Sequence, residues 1–256
     1  MRHVHWSLRV GAAACFIGHG AFGIITKEAW VAYFAVAGIP RDAAFALMPV
    51  VGTVDIVLGL AVLVSPRPVV LLYMTVWAVW TALLRPLAGE SPFETMERAG
   101  NYGVPLALLL LVGRPRTWRG WFRSPDGSSA GDAATIARVL QWTTAILLFG
   151  HGGLAAVTGK PLFATHYAAL GMPGSIAPLI GWTETAVAML VLIRPTPGLL
   201  IGIALWKVAT EALFPIAGWP IWEFIERSGS YAAPLALALL TLDRGTSRLM
   251  LRWRPT

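Results

Sequence analysis

The chain is poor in two things that most soluble enzymes carry. Only 13% of its 256 residues are charged, against about a quarter in an ordinary soluble domain. Its one cysteine is Cys15. Dithiol exchange needs a pair, which excludes a membrane thiol oxidase or an epoxide reductase of the Cys-x-x-Cys type. No Cys/His spacing for a metal cluster is present, so no metal is expected. A P-loop is missing. No basic-aromatic binding module is visible either, so nucleic acid is not an expected partner.

What the chain has instead is apolar residue: 56% of the total, with a mean hydropathy of +0.65. Crossing a bilayer as a helix takes roughly 20 such residues. Eight blocks approach that length, at 8–26, 44–64, 69–87, 97–113, 136–157, 175–193, 198–216 and 228–242. The fourth and eighth reach it only if Glu97-Arg98 and Glu226-Arg227 lie at the interface. The expectation is an all-α integral membrane protein with eight transmembrane helices. Arg2 and Arg9 ahead of the first block imitate a signal peptide, but only five residues separate Arg9 from Cys15. That is too short for an apolar signal core, so the block is read as a true helix.

The chain repeats itself. Residues 77–111 set against 206–240 without a gap give 18 identities in 35. Trp77 meets Trp206, Pro86 meets Pro215, and Glu94, Glu97 and Arg98 meet Glu223, Glu226 and Arg227. Upstream, Gly18-His19-Gly20 meets Gly150-His151-Gly152, Gly38-Ile39-Pro40 meets Gly171-Met172-Pro173, and Asp55 meets Glu184. The division is a first four-helix repeat at 1–113, a basic then Gly/Ser-rich linker at 114–133, a second repeat at 134–243 and a basic tail at 244–256. An even number of helices per copy makes the repeats parallel. Thirteen of the 20 Lys and Arg then fall on the face that holds both termini and the linker, and six on the other. By the positive-inside rule both termini are cytoplasmic, in a multi-pass protein of the cell membrane. The net charge of +7 follows from that topology. The linker and tail, with Trp among Arg, read as interfacial anchors on the lipid bilayer.

An ionisable residue within a membrane helix costs about 2.5–3.5 kcal/mol at the centre, so it marks a functional candidate. His19, Asp55, His151, Glu184, Lys207 and Glu211 are such residues. The simplest arrangement pairs His19 with Asp55 and His151 with Glu184, one pair per repeat. A structural hydrogen bond between two helices, a substrate or quinone site, and a haem held between the two histidines compete to explain them, in that order. Lys207 and Glu211 are four apart and share a helix face, whereas the first repeat has Ala78 and Ala82 there. They read as a self-neutralised pair at the repeat interface, or as a proton or substrate site in one half only. Arg85, Glu97, Arg98, Glu226 and Arg227 form a secondary set of candidates, and Arg85 with the acidic segment Glu90, Glu94 and Glu97 is expected to be a solvated network. Trp30, Tyr33, Phe34, Phe93, Phe163, Tyr167, Trp219 and Trp222 cluster towards one face, as an interfacial belt or the wall of a vestibule for an apolar ring compound.

A first helix with His-Gly and then Lys, a Gly-x-Pro, a helix with a central acid and two further helices make a recognisable outline. In it His19, Gly20, Lys27, Gly38 to Pro40 and Asp55 are matched by His151, Gly152, Lys160, Gly171 to Pro173 and Glu184. The chain resembles a tandem duplication of the DoxX-like membrane proteins. That resemblance implies a redox-associated membrane subunit, with quinone as the implied cofactor and a soluble or membrane oxidoreductase as the implied partner. Two rivals stand beside it: a small-solute carrier with its site between the repeats, and a structural partner that recruits a soluble enzyme. Whether it is an enzyme stays open.

Overall fold

The computed structural model describes residues 1–124 and 132–252, with side chains as far as 243. The Gly/Ser-rich part of the linker at 125–131, and the side chains of the basic tail expected to anchor at the interface, lie outside the described residues. Described residues form helices and no strand. The first half runs α1 (Arg2–Ile24), α2 (Val31–Val36), α3 (Arg41–Val64), α4 (Pro68–Leu87), α5 (Phe93–Glu97) and α6 (Ala99–Val112). After the short α7 (Trp118–Trp121) the second half runs α8 (Ala133–Ala156), α9 (Pro161–Ala168), α10 (Ala177–Ile193), α11 (Pro197–Glu211), α12 (Leu213–Ile216), α13 (Ile221–Glu226) and α14 (Ser228–Arg252).

Local chemistry accounts for the boundaries. Asp132 caps α8, accepting from the backbone N–H of Ala134 at 3.1 Å and of Thr135 at 3.0 Å. Pro68 and Pro197 open α4 and α11, where proline's missing N–H is not needed. The two Gly-x-Pro motifs do one job twice. Gly38 and Gly171 both have φ of +72°, a conformation open to glycine at little cost, and so end α2 and α9. The backbone also breaks the same way at Arg98 (φ −86°, ψ 11°) and Arg227 (φ −86°, ψ 12°). These breaks separate α5 from α6 and α13 from α14.

Six segments are long and apolar enough to cross a membrane: Arg2–Ile24, Arg41–Val64, Pro68–Leu87, Ala133–Ala156, Gly174–Ile193 and Pro197–Ile216. The protein is an all-helical membrane protein among the described residues, with six such helices there, where the sequence leads to eight. For the fourth block the difference comes from the break at Arg98. It leaves α6 with 14 residues, about 21 Å of helix against a hydrocarbon core of about 30 Å. α14 is not among the six either.

The helices sort by burial. α1, α6, α8 and α14 pack on one another at the centre, around Leu8, Phe16, Leu108, Leu140, Leu148 and Leu237. The outer helices α3, α4, α10 and α11 expose Val57, Val64, Val76, Leu179, Ile193 and Leu205. So much exposed aliphatic surface is foreign to a soluble monomer and suits contact with lipid. At one end Arg9 donates to the carbonyls of Val62 and Leu63 at the end of α3. Gln141 does the same for Val191 and Leu192 at the end of α10. These caps satisfy carbonyls that a helix end leaves unpaired. The N-terminal ammonium lies 2.5 Å from Asp243 Oδ2, so the start of α1 and the later part of α14 lie on the same side.

Candidate functional site

Glycine brings the helices together. A Cβ on Gly20 would stand 2.5 Å from the Gly52 carbonyl oxygen of α3, and one on Gly152 2.5 Å from the Gly181 carbonyl oxygen of α10. The glycine before each histidine meets the other half of the chain. A Cβ on Gly18 would lie 2.7 Å from Glu226 Cα, and one on Gly150 2.5 Å from the Met96 carbonyl carbon. The two glycines beside each histidine do not both admit the second helix of their own half. Only the later one does; the earlier one admits α13 or α5 of the opposite half.

With α3 that close, His19 Nδ1 lies 2.7 Å from Asp55 Oδ2. His151 Nδ1 likewise bonds Glu184 Oε2. Both expected pairs are present in the geometry, and both acids are buried, Asp55 at 1% exposure and Glu184 at 3%. The His19 ring stacks on Trp30 at 4.5 Å, and His151 meets Phe163 edge-on at 4.8 Å.

From Glu184 a chain of buried charges runs towards the first half. Glu184 Oε1 accepts from Trp206 Nε1 at 2.7 Å and lies 3.9 Å from Lys207 Nζ. Lys207 lies 2.9 Å from Glu211, and Glu211 3.3 Å from Arg227 Nε. Arg227 lies 3.5 Å from Glu97, which pairs with Arg98. Arg98 reaches Glu94 at 3.0 Å, and Arg85 reaches Glu94 at 3.6 Å and Glu90 at 3.1 Å. Two further bridges cross between the halves: Lys27 to Glu223 at 2.6 Å, and Lys160 to Glu94. Glu226 is buried and lies beside His19 in a cavity wall.

The solvated network expected for the secondary set is therefore a buried one. Glu94, Glu223 and Glu226 are each 5% exposed or less. α5 and α13 bring these acids under the first helix of the opposite half, an arrangement that helix periodicity within one half does not contain. At the outer end Tyr33 donates to Glu90 and accepts from Arg85 at 2.8 Å. Burial opposes ionisation of Glu90, but Tyr33 and Arg85 together hold its carboxyl below the usual range.

A cavity of about 180 Å³ lies against His19, walled by Trp30, Tyr33, Phe34, Trp77 and Trp80, with Arg98 at its polar part. A second hollow of about 690 Å³ lies between the halves, bordered by Lys27, Lys160, Glu94, Glu223 and Trp219. The aromatic cluster expected as a belt is thus divided. Trp30, Tyr33 and Phe34 line the small cavity, Trp219 borders the hollow, and Phe163 and Tyr167 are core.

Sequence reasoning missed Trp77, Trp80 and Asn101 in the cavity wall and Trp206 as a partner of Glu184. The Trp77/Trp206 identity was the signal that could have found two of them. His166 was missed as well. It is buried, 4.4 Å from the Phe214 ring, and its Nε2 has no hydrogen-bond partner. Among the described residues no three His, Cys, Asp or Glu side chains are grouped to hold a metal. No family model, curated protein or solved structure matches this chain.

Proposed function

We propose that this is a quinone-interacting, redox-associated membrane subunit of the DoxX-like kind, with eight membrane-embedded helices in two parallel repeats. The observation that carries the reading is the aromatic cavity against His19. A cavity of about 150 Å³ suffices for one benzene ring, so about 180 Å³ suits a single substituted ring. The fit also holds chemically. Indole and phenol rings suit a flat apolar ring, and His19 adds an imidazole, which can donate or accept a hydrogen bond. Asp55 holds the imidazole by Nδ1, which leaves Nε2 for the cavity. A quinone would supply the redox chemistry when bound; the chain's part is to hold the ring among Trp30, Tyr33 and Phe34 and to keep a proton at His19.

Lipid extracts of the purified protein test this. Quinone should copurify with wild-type protein and be depleted in Ala78→Trp, which fills the cavity. Its absence from wild-type protein prepared in quinone-replete membranes would sink the reading.

The hollow between the halves favours a second reading, a carrier of a small solute. Charged side chains from both repeats border it, where repeat-built transporters hold their substrates. Solute uptake into liposomes, lost on Lys27→Ala with Lys160→Ala, would move this reading ahead. Copurification of a soluble enzyme, with neither quinone nor uptake, would instead favour a structural partner.

A further inference from the structure

The two repeats treat the same indole differently. In the second, Trp206 Nε1 donates to Glu184 Oε1 at 2.7 Å. Lys207, Glu211 and Phe214 are all buried beside it. In the first, the matching positions are Trp77, Ala78, Ala82 and Arg85, and here the cavity opens against His19. Ala78 lines the cavity where the other copy has Lys207, and Ala82 is buried where the other copy has Glu211.

The acid differs too. Asp55 is one methylene shorter than Glu184. Its Oδ2 takes His19, while its Oδ1 is buried with no hydrogen-bond partner. Trp77 Nε1 is also buried without a partner, as is Arg85 Nε. Trp77 and Arg85 both belong to the cavity wall. A buried donor left unpaired is costly, and such groups demand an explanation. The second copy shows what satisfies the indole when the acid is long enough.

We propose that the duplication has left one ligand site. The cavity of the first repeat binds a flat ring that carries a hydrogen-bond acceptor such as a carbonyl oxygen, and Trp77 Nε1 is the recognising donor. The shortness of Asp55 keeps that donor free. In the second repeat the same site is closed by Lys207 and Glu211, and its indole is spent on Glu184. This rests on the ring-binding reading above, and adds which atom recognises the ring and why only one half can.

The test measures partition of two probes, decylubiquinone and decylbenzene, into synthetic-lipid nanodiscs with and without the full-length protein. They share the tail, but only the first has carbonyl acceptors. Trp77→Phe should weaken decylubiquinone binding about three- to tenfold, the range of one hydrogen bond, and change decylbenzene binding less than twofold. Asp55→Glu should do the same with Trp77 intact, because the longer acid captures the indole. Ala78→Lys with Ala82→Glu should abolish binding of both probes. Melting temperatures check that each variant is folded, and Trp77→Phe alone decides if Asp55→Glu is not. If wild-type protein binds decylubiquinone and Trp77→Phe leaves that binding unchanged, the indole is not the recognising donor and the proposal is overturned. Wild-type protein that binds neither probe would overturn the ring-binding reading itself.

Discussion

At the scale of the residue, the two histidine pairs are alike in design and unequal in support. Asp55 has His19 as its one hydrogen-bond partner, whereas Glu184 has His151, Trp206 and a lysine at 3.9 Å. Removing one member of a buried pair leaves the other unsatisfied, at about 1–3 kcal/mol. His19→Ala should therefore cost less in an Asp55→Ala background than in wild type, with a coupling of about 0.6 kcal/mol and at most about 1.7 kcal/mol. Thermal melts in detergent across that double-mutant cycle measure it, and strictly additive losses would deny the pair. Glu184→Ala should lower the melting temperature more than Asp55→Ala, since it also strands the indole of Trp206 and weakens the balance of buried Lys207. His166 carries a pH dependence. Burial, aided by the Arg227 charge, pushes its pKa from the usual 6.5 down to about 4. The unfolded chain then binds the extra proton between about pH 6.5 and 4. Stability from this group is thus present above pH 6.5 and lost as pH falls towards 4. Melting temperature should fall from pH 7 to pH 4.5 by less in His166→Phe than in wild type; equal falls would show that His166 is not responsible.

At the scale of the element, what matters is how closely α1 and α8 approach their neighbours. Gly18 and Gly150 put first-repeat and second-repeat backbones in contact, and a methyl group there has backbone, not a flexible side chain, to displace. Gly202, inside α11, has nothing within 4 Å of a Cβ. Alanine is favoured over glycine within a helix by about 1 kcal/mol. Gly202→Ala should accordingly leave the melting temperature unchanged or raise it, while Gly18→Ala and Gly150→Ala lower it. If all three variants melt alike, the close crossing of α1 with α13 and of α8 with α5 is not a determinant of stability.

At the scale of the whole molecule, the halves are interlocked rather than placed side by side. Lys27 of the first half bonds Glu223 of the second, and Lys160 of the second bonds Glu94 of the first. The chain also brings its N-terminus to Asp243, so the helical path returns to the side on which it starts. The positive-inside rule, applied to the Arg and Lys distribution, leads us to propose that side as the cytoplasmic one. Reporter fusions at Thr256 and after Ser124 should both read as cytoplasmic. A non-cytoplasmic signal from either would break the arrangement of eight helices in two parallel repeats.

The apolar blocks and the low charge decided by themselves that the chain is helical and made for a membrane, because a bilayer leaves a backbone little else to form. The repeat identities carried the histidine–acid pairs, since Gly-His-Gly recurs with an acid one helix later. Helix periodicity could not foresee that α6 stops at 14 residues. That depends on the break at Arg98, which is held by Glu94 and Glu97 of its own half and lies beside Arg227 of the other. Nor could it foresee that Gly18 serves a different neighbour from Gly20, or that the acids of α5 and α13 are buried. The last two outcomes rest on contacts between the halves, such as Lys160 with Glu94 and Lys27 with Glu223, which no local pattern contains. The sequence holds the contrast of Ala78 with Lys207 at matching positions. That a cavity beside His19 includes Ala78 in its wall, while Lys207 is buried against Glu184 and Glu211, was decided only by the packing of the helices, which sets what space each side chain is given.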